Sequence, residues 1–287
     1  EMIGVLKQYH ADYPTLISTA AFLEITPSLG KAASVRYSAP ERDWYKTQHV
    51  YPPGYSVTDR FLLIDAYMQN YHQLFQSYPT LTVGWFVDTT SLNYLHDKYQ
   101  VKVHEITREQ WGTDSYSLDG GVFPYPYYGS VNWSFIPSNQ SSGLIIIRQT
   151  IPHAAENYGD NTSSATSQPN DYLRTHSTSY FHSLINALSS QPAEQKGFGV
   201  LGLENSFDSR YQQEFVDGLS HIKSNFDVKI NFINSAGLGG LIDLDQVQLY
   251  QDQSSGATAT WVITNHYRIR LLKTNSDFMI TDLRFYN

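Results

Sequence analysis

Residues 81–106 read LTVGWFVDTTSLNYLHDKYQVKVHEI. The stretch 81–88 is an almost unbroken apolar run of strand length, 91–99 carries helical spacing, and 101–106 is a second β-rich run. A strand, a short helix and a strand in that order predict a crossover unit with parallel pairing. Its strands are apolar at nearly every position, as strands covered on both faces are.

The same grammar extends in both directions. Toward the amino end, 58–77 is a strong helix, with Phe61, Leu62, Ile64, Tyr67, Met68, Tyr71, Leu74 and Phe75 at helical spacing. Residues 27–57 hold four Pro and two Gly and read as a long loop, preceded by a β-rich run at 15–25. Residues 1–12 read as a helix with Met2, Ile3, Val5, Leu6 and Tyr9 on one side. The chain is therefore expected to open inside a domain, with a first strand preceding Glu1.

Toward the carboxyl end, 143–149 (GLIIIRQ) is the clearest buried strand, reached through a Gly-, Pro- and Tyr-rich excursion at 111–142. A helix at 172–189, a strand at 197–204, a helix at 209–224 and a strand at 228–234 continue the alternation. From about 241 the pattern changes to antiparallel alternation at 247–251, 258–264, 267–272 and 278–286. The expected organisation is an α/β barrel domain over 1–240, lacking its first strand, and a small C-terminal β-hairpin appendage over 241–287.

Composition limits the chemistry. The net charge is −8 with only 19 Lys and Arg, and no basic stripe is present, so nucleic acid is excluded as a natural partner. No apolar run approaches bilayer length. There are no cysteines, which removes disulfides, thiolate metal sites and cysteine nucleophiles. Low charge with abundant Tyr, Ser, Thr and Asn points to a secreted or cell-surface protein acting on neutral, polar ligands. No cofactor is expected, and oligomeric state is not legible. The Asn132, Asn139 and Asn161 sequons are short enough to arise by chance.

In parallel α/β folds, ligands meet the carboxyl ends of the strands. Those ends here carry Glu24, Asp88, Arg148 with Gln149, Glu204 and Asn234. A charge directly after an apolar strand is costly unless it faces a wet cleft or a partner. The plainer alternative is helix capping, which Asp and Asn do well and Glu does poorly. The excursion contributes Trp111, Asp114, Asp119, Tyr127 and Tyr128, a mixture of flat aromatic faces and short acceptors that suits sugar rings. Its alternative is a Tyr-rich loop covering the mouth of the fold.

Paired carboxylates are the minimum set for glycoside hydrolysis, and Glu204 with Asp88 or Asp114 is the candidate pair. Sharper motifs fail. Gly197–Gly202 spells GxGxxG inside a strand instead of before a helix, and Ser220–Lys223 spells SxxK on an amphipathic helix. The ten His include no HxH, HxxxH or HExxH spacing, so no metal site is expected, and His153 reads as structural.

The segments Trp85-Phe-Val-Asp-Thr89, Arg108-Glu-Gln-Trp-Gly-Thr-Asp-Ser-Tyr-Ser-Leu-Asp-Gly-Gly121, Tyr127-Tyr128, Arg148, Asn157-Tyr-Gly-Asp160 and Glu204-Asn-Ser-Phe207 resemble bacterial barrel proteins. Those are related to the polysaccharide deacetylases and to glycoside hydrolase family 57. The resemblance implies a distorted (β/α)7 barrel acting on a polysaccharide or glycoconjugate. It implies Glu204 as nucleophile or base and Asp88 or Asp114 as acid. Trp85, Gln110, Trp111, Asp119, Tyr127, Tyr128 and Arg148 would then line the substrate. Two alternatives stay open: a sugar-binding or surface module without chemistry, and a deacetylase drawing metal ligands from outside this chain.

Overall fold

The computed structural model describes residues 2–12, 21–37, 50–84, 87–106, 126–134, 136–139, 141–148, 167–189, 202–203, 208–226, 247–254 and 256–285. The chain divides into two compact units. One comprises Glu1–Ile106, Tyr127–Ile146 and Asn231–Gly240, and the other Thr107–Pro126, Ile147–Ile230 and Leu241–Asn287. The expected boundary at 240 and the strands read at 197–204 and 228–234 lie outside the described residues, apart from Gly202 and Leu203.

The first unit opens with helix α1 (Met2–Asp12), whose Ile3, Val5, Leu6 and Tyr9 are exposed. Strand β1 (Ala21–Phe22) follows, then a short helix α2 (Pro27–Ala32). The loop expected over 27–57 therefore contains a helix. Thr26 caps it by accepting from the Leu29 N–H, and Pro27 has its φ preset for the first turn. A 3₁₀ turn (Pro52–Gly54) leads into α3 (Val57–Phe75), capped by Ser56 and closed by Gln76 in a left-handed conformation. Then come β2 (Leu81–Gly84), α4 (Thr89–Tyr99), β3 (Val103–Ile106), β4 (Tyr127–Ser130) and β5 (Ser141–Arg148).

These strands form one sheet in the order β1-β2-β3-β5-β4, with β1, β2 and β3 parallel and β4 antiparallel to β5. The crossover expected from residues 81–106 is present. The described residues form a mixed α/β sheet, open at both edges. Leu144, Ile145, Ile146 and Ile147 are all buried, as a strand covered on both faces requires. Leu63, Ile64, Met68, Leu92 and Leu95 of α3 and α4 are buried as well. Each such side chain contributes roughly 1.5–3 kcal/mol of burial free energy.

In the second unit, the helix expected at 172–189 is two helices. α5 (Pro169–Tyr172) ends in a turn in which the Thr175 and His176 N–H groups both reach the Tyr172 carbonyl, and α6 (Ser179–Ser189) follows. Helix α7 (Ser209–Asn225), capped by Asp208, packs Ile222 and Phe226 against a cluster of Tyr172, Tyr180, Phe181, Leu184 and Ile185. Four antiparallel strands close the chain as a meander: β6 (Gln248–Ser254), β7 (Ala257–Ile263), β8 (Tyr267–Thr274) and β9 (Phe278–Phe285). One face of that sheet buries Trp261, Ala259 and Ile263 together with the stems of Arg268 and Arg270.

Candidate functional site

The first unit gathers its chemically capable side chains at the carboxyl ends of β1, β2 and β3. Register fixes their direction. Phe22 pairs with Val83 and Val83 with Glu105, while Thr82 pairs with His104 and Gly84 with Ile106. Side chains alternate across a strand, so Thr82, His104 and Ile106 share one face and Val83 and Glu105 the other. Leu23 belongs with the first set: a Cβ built on Gly84 would lie 3.8 Å from its Cβ. Glu24, the next residue, therefore faces the same way as Glu105.

The two faces differ in solvation. Leu23, Thr82, His104 and Ile106 are buried, whereas Glu24, Val83 and Glu105 are only partly so. His104 joins its Nδ1 to Thr82 Oγ1 at 2.8 Å, and its Nε2 has no partner among the described residues. Burial pushes this imidazole down to about 3, so it is a neutral core histidine. Burial acts in the opposite sense on Glu105, pushing its carboxyl up to about 7. It also raises Glu24, whose Oε1 is buried and without a hydrogen-bond partner among the described residues.

The Tyr37 phenol feels the Glu24 charge. Burial, the Tyr55 phenol and the Glu24 carboxylate together raise Tyr37, which places that ring within the field of both groups. Tyr37 is held by the α2 turn, where a Cβ on Gly30 would come within 3.2 Å of the Tyr37 Cβ. Arg60 of α3 donates from Nε to the Tyr55 carbonyl at 2.8 Å and pairs through Nη1 with Asp88 at 3.0 Å. One guanidinium thus ties the turn before α3 to the N-cap of α4.

Of the expected catalytic carboxylates Asp88, Asp114 and Glu204, Asp88 lies among the described residues. It caps α4: Oδ1 accepts from the Ser91 N–H at 3.1 Å, and Oδ2 accepts from the Ser91 hydroxyl at 2.7 Å. With Arg60 also on Oδ1, both oxygens are engaged, as the capping alternative requires. Tyr127 is fully buried on β4. Tyr128, the next residue, points to the opposite face and is exposed. Trp85, Gln110, Trp111, Asp114, Asp119 and Glu204 lie outside the described residues, as does the Arg148 side chain.

Glu105 is the residue that sequence reading missed. Its signal was the alternation Val103-His-Glu-Ile106, in which one polar residue must face inward whichever face is core. Among the described residues, no group of three or more His, Asp or Glu is placed to hold a metal ion. None of the described helices is long and apolar enough to cross a membrane.

No protein-family model matches the chain, and no curated protein matches it. One solved structure is similar: a Parabacteroides distasonis protein provisionally named a glycoside hydrolase/deacetylase, with a TM-score of 0.51 and 13% sequence identity. The likeness covers 80% of this chain and 62% of that one. It establishes a shared mixed α/β fold.

Proposed function

We propose that the protein is a carbohydrate-active hydrolase whose site opens at the carboxyl ends of β1–β3, with Glu105 as proton donor and Glu24 as its partner carboxylate. The observation that carries this reading is the common face of the two side chains, argued above from register. The two positions are two strands and about one residue pair apart, roughly 12 Å at the backbone. Two Glu arms reaching toward one another bring that span into the roughly 6.5–9.5 Å range of an inverting acid/base pair.

A carboxyl displaced to about 7 still holds its proton near neutrality, as a general acid must. Glu24, whose buried Oε1 has no partner among the described residues, would draw a proton from a water bound on the other side of the sugar. Tyr37 would add a hydroxyl and a flat apolar face. The fold shared with the Parabacteroides distasonis protein, together with that protein's name, supports carbohydrate as the substrate class.

The proposal includes closure of a distorted (β/α)7 barrel by the strands read at 197–204 and 228–234, and export to the cell surface or beyond. A polysaccharide or glycoconjugate is the substrate. Glu204 and Asp114 enter as the competing carboxylates, with Trp85, Gln110, Trp111, Asp119, Tyr128 and Arg148 as substrate contacts. The test is reducing-sugar release from a panel of glycans by Glu105→Gln, Glu24→Gln, Glu204→Gln and Asp114→Asn. Loss of at least 100-fold in kcat for Glu105→Gln and Glu24→Gln is expected. Full turnover by both would remove them and leave Glu204 with Asp114.

A further inference from the structure

The most exposed apolar surface among the described residues is the edge of the C-terminal sheet. Phe278 and Phe285 are each 68% exposed, Ile280 59% and Leu283 49%, all on β9. In a regular strand Phe278 and Ile280 would face away from Leu283 and Phe285, because the spacing from Ile280 to Leu283 is odd. A bulge changes this. Arg270 pairs with Asp282 and the next residue, Leu271, with Ile280, so Thr281 is an extra residue in β9. Arg270 donates to the Thr281 hydroxyl and Arg268 to the Asp282 carboxylate, so Thr281 and Asp282 both lie on the inner face. The bulge thereby sets Phe278, Ile280, Leu283 and Phe285 on one outer face, opposite Lys273, Leu271, Ile269 and Tyr267.

The backbone follows the same phase. The Thr274 N–H donates to the Asp277 carbonyl at the β8–β9 turn, which makes 274 with 277 a hydrogen-bonded pair and 273 with 278 a non-bonded one. Counting along β8, residues 272, 270 and 268 bond toward β9. The N–H and C=O groups of Phe278, Ile280, Leu283 and Phe285 therefore point away from β8. β9 ends the strand order, and no strand among the described residues pairs with that side. It carries no Pro and no Lys, and its Asp282 and Arg284 pair with each other at 3.1 Å on the inner face. Of the devices that usually blunt an open edge, Lys and Pro are missing from it, while a bulge and the inward charges of Asp282 and Arg284 are present.

The outward residues, Phe-x-Ile-x-x-Leu-x-Phe, are symmetric in spacing and apolar character, with Ile and Leu exchanged on reversal. We infer that β9 is a self-pairing edge, which joins antiparallel to β9 of a second copy of this chain about a two-fold axis between Thr281 and Asp282. Phe278 then faces Phe285 of the other copy, and Ile280 faces Leu283. The two four-stranded sheets become one sheet of eight, and every outward backbone group gains a partner. The bulge makes this register possible, because Thr281 and Asp282 point to the same face. Without it, a two-fold placed there would match outer side chains to inner ones. The axis brings two Asp282 carboxylates near one another, and each is already matched by Arg268 at 2.6 Å and Arg284 at 3.1 Å. A foreign strand would satisfy the backbone, but nothing would require it to match a symmetric row of large apolar side chains.

Sedimentation velocity on the 287-residue chain tests the inference across a concentration series. A dimer is expected for the wild type. Ile280→Lys and Leu283→Glu, both at exposed positions, are each expected to sediment as folded monomers, with self-association weakened at least 100-fold. Mixed together they should restore a dimer, because in that register Lys from one copy meets Glu from the other; circular dichroism of each variant alone reports folding. A monomeric wild type, or a dimer that survives both substitutions, would overturn the inference. So would failure of the mixture to pair while both variants remain folded.

Discussion

His104 and Glu105 are neighbours on β3, face opposite sides of the sheet, and are displaced by burial in opposite directions, to about 3 and about 7. Each is favoured in its neutral form by burial, the imidazole on the core face of the sheet and the carboxyl on the other face. Their linkage to folding consequently has opposite sign over part of the acid range.

For Glu105 the folded-state value lies above the ordinary 4.5, so the folded protein holds a proton that the unfolded chain releases. That contribution to stability is full below about 4.5 and is lost as pH rises toward 7. Glu105→Gln should abolish this slope and raise stability at pH 7.5 by about 2 kcal/mol. Urea midpoints at half-unit pH steps check it, and parallel curves for wild type and variant would refute it.

For His104 the folded value lies below the ordinary 6.5, so the unfolded chain takes up the proton first. Its contribution is present above about 6.5 and is lost as pH falls toward 3. In Glu105→Gln, stability should therefore climb with pH between 4.5 and 6.5. Thr82→Val removes the one hydrogen bond that His104 Nδ1 makes and should cost about 1–3 kcal/mol at pH 7.

Asp88→Ala removes both the α4 cap and the Arg60 ion pair and should lower stability by about 1–2 kcal/mol. Asp88→Asn keeps the capping oxygen and loses the charge, so most of the stability should remain. If Asn behaves like Ala in thermal unfolding, the ion pair outweighs the cap and the structural assignment needs revision.

Gly218→Ala sets two effects against each other on α7. Ala is favoured over Gly in a helix by about 1 kcal/mol, but its methyl would sit 2.7 Å from Phe181 Cε1. Phe181 is buried in the α6–α7 cluster and has little room to retreat. The clash should win, with a net loss of about 1–2 kcal/mol in chemical denaturation. A stabilised variant would show that the ring can move.

Local pattern carried most of the fold. The parallel β2–α4–β3 unit, α3, α7 and the four C-terminal strands all stand where periodicity put them, within a few residues at their ends. The misses have local causes as well. Thr26-Pro27 is a cap and first-turn signal hidden in a proline-rich stretch, and the turn after Tyr172 splits a helix whose apolar spacing runs on across it. The site was less legible. Asp88 reads equally well as an acid or a cap in the sequence, and its bonds to Ser91 and Arg60 are visible only in the structure.

Chain order and hydrophobic period determined by themselves which segments become strands and helices, because those choices depend on neighbours one to four residues away. Composition alone likewise sets the net charge of −8. Which face of β3 meets the core, that Glu24 stands on the side of Glu105, and that one extra residue at Thr281 gathers four apolar side chains on an open edge were decided only by tertiary structure. Each depends on the register between strands far apart in sequence, and a shift of one residue would reverse every side chain involved.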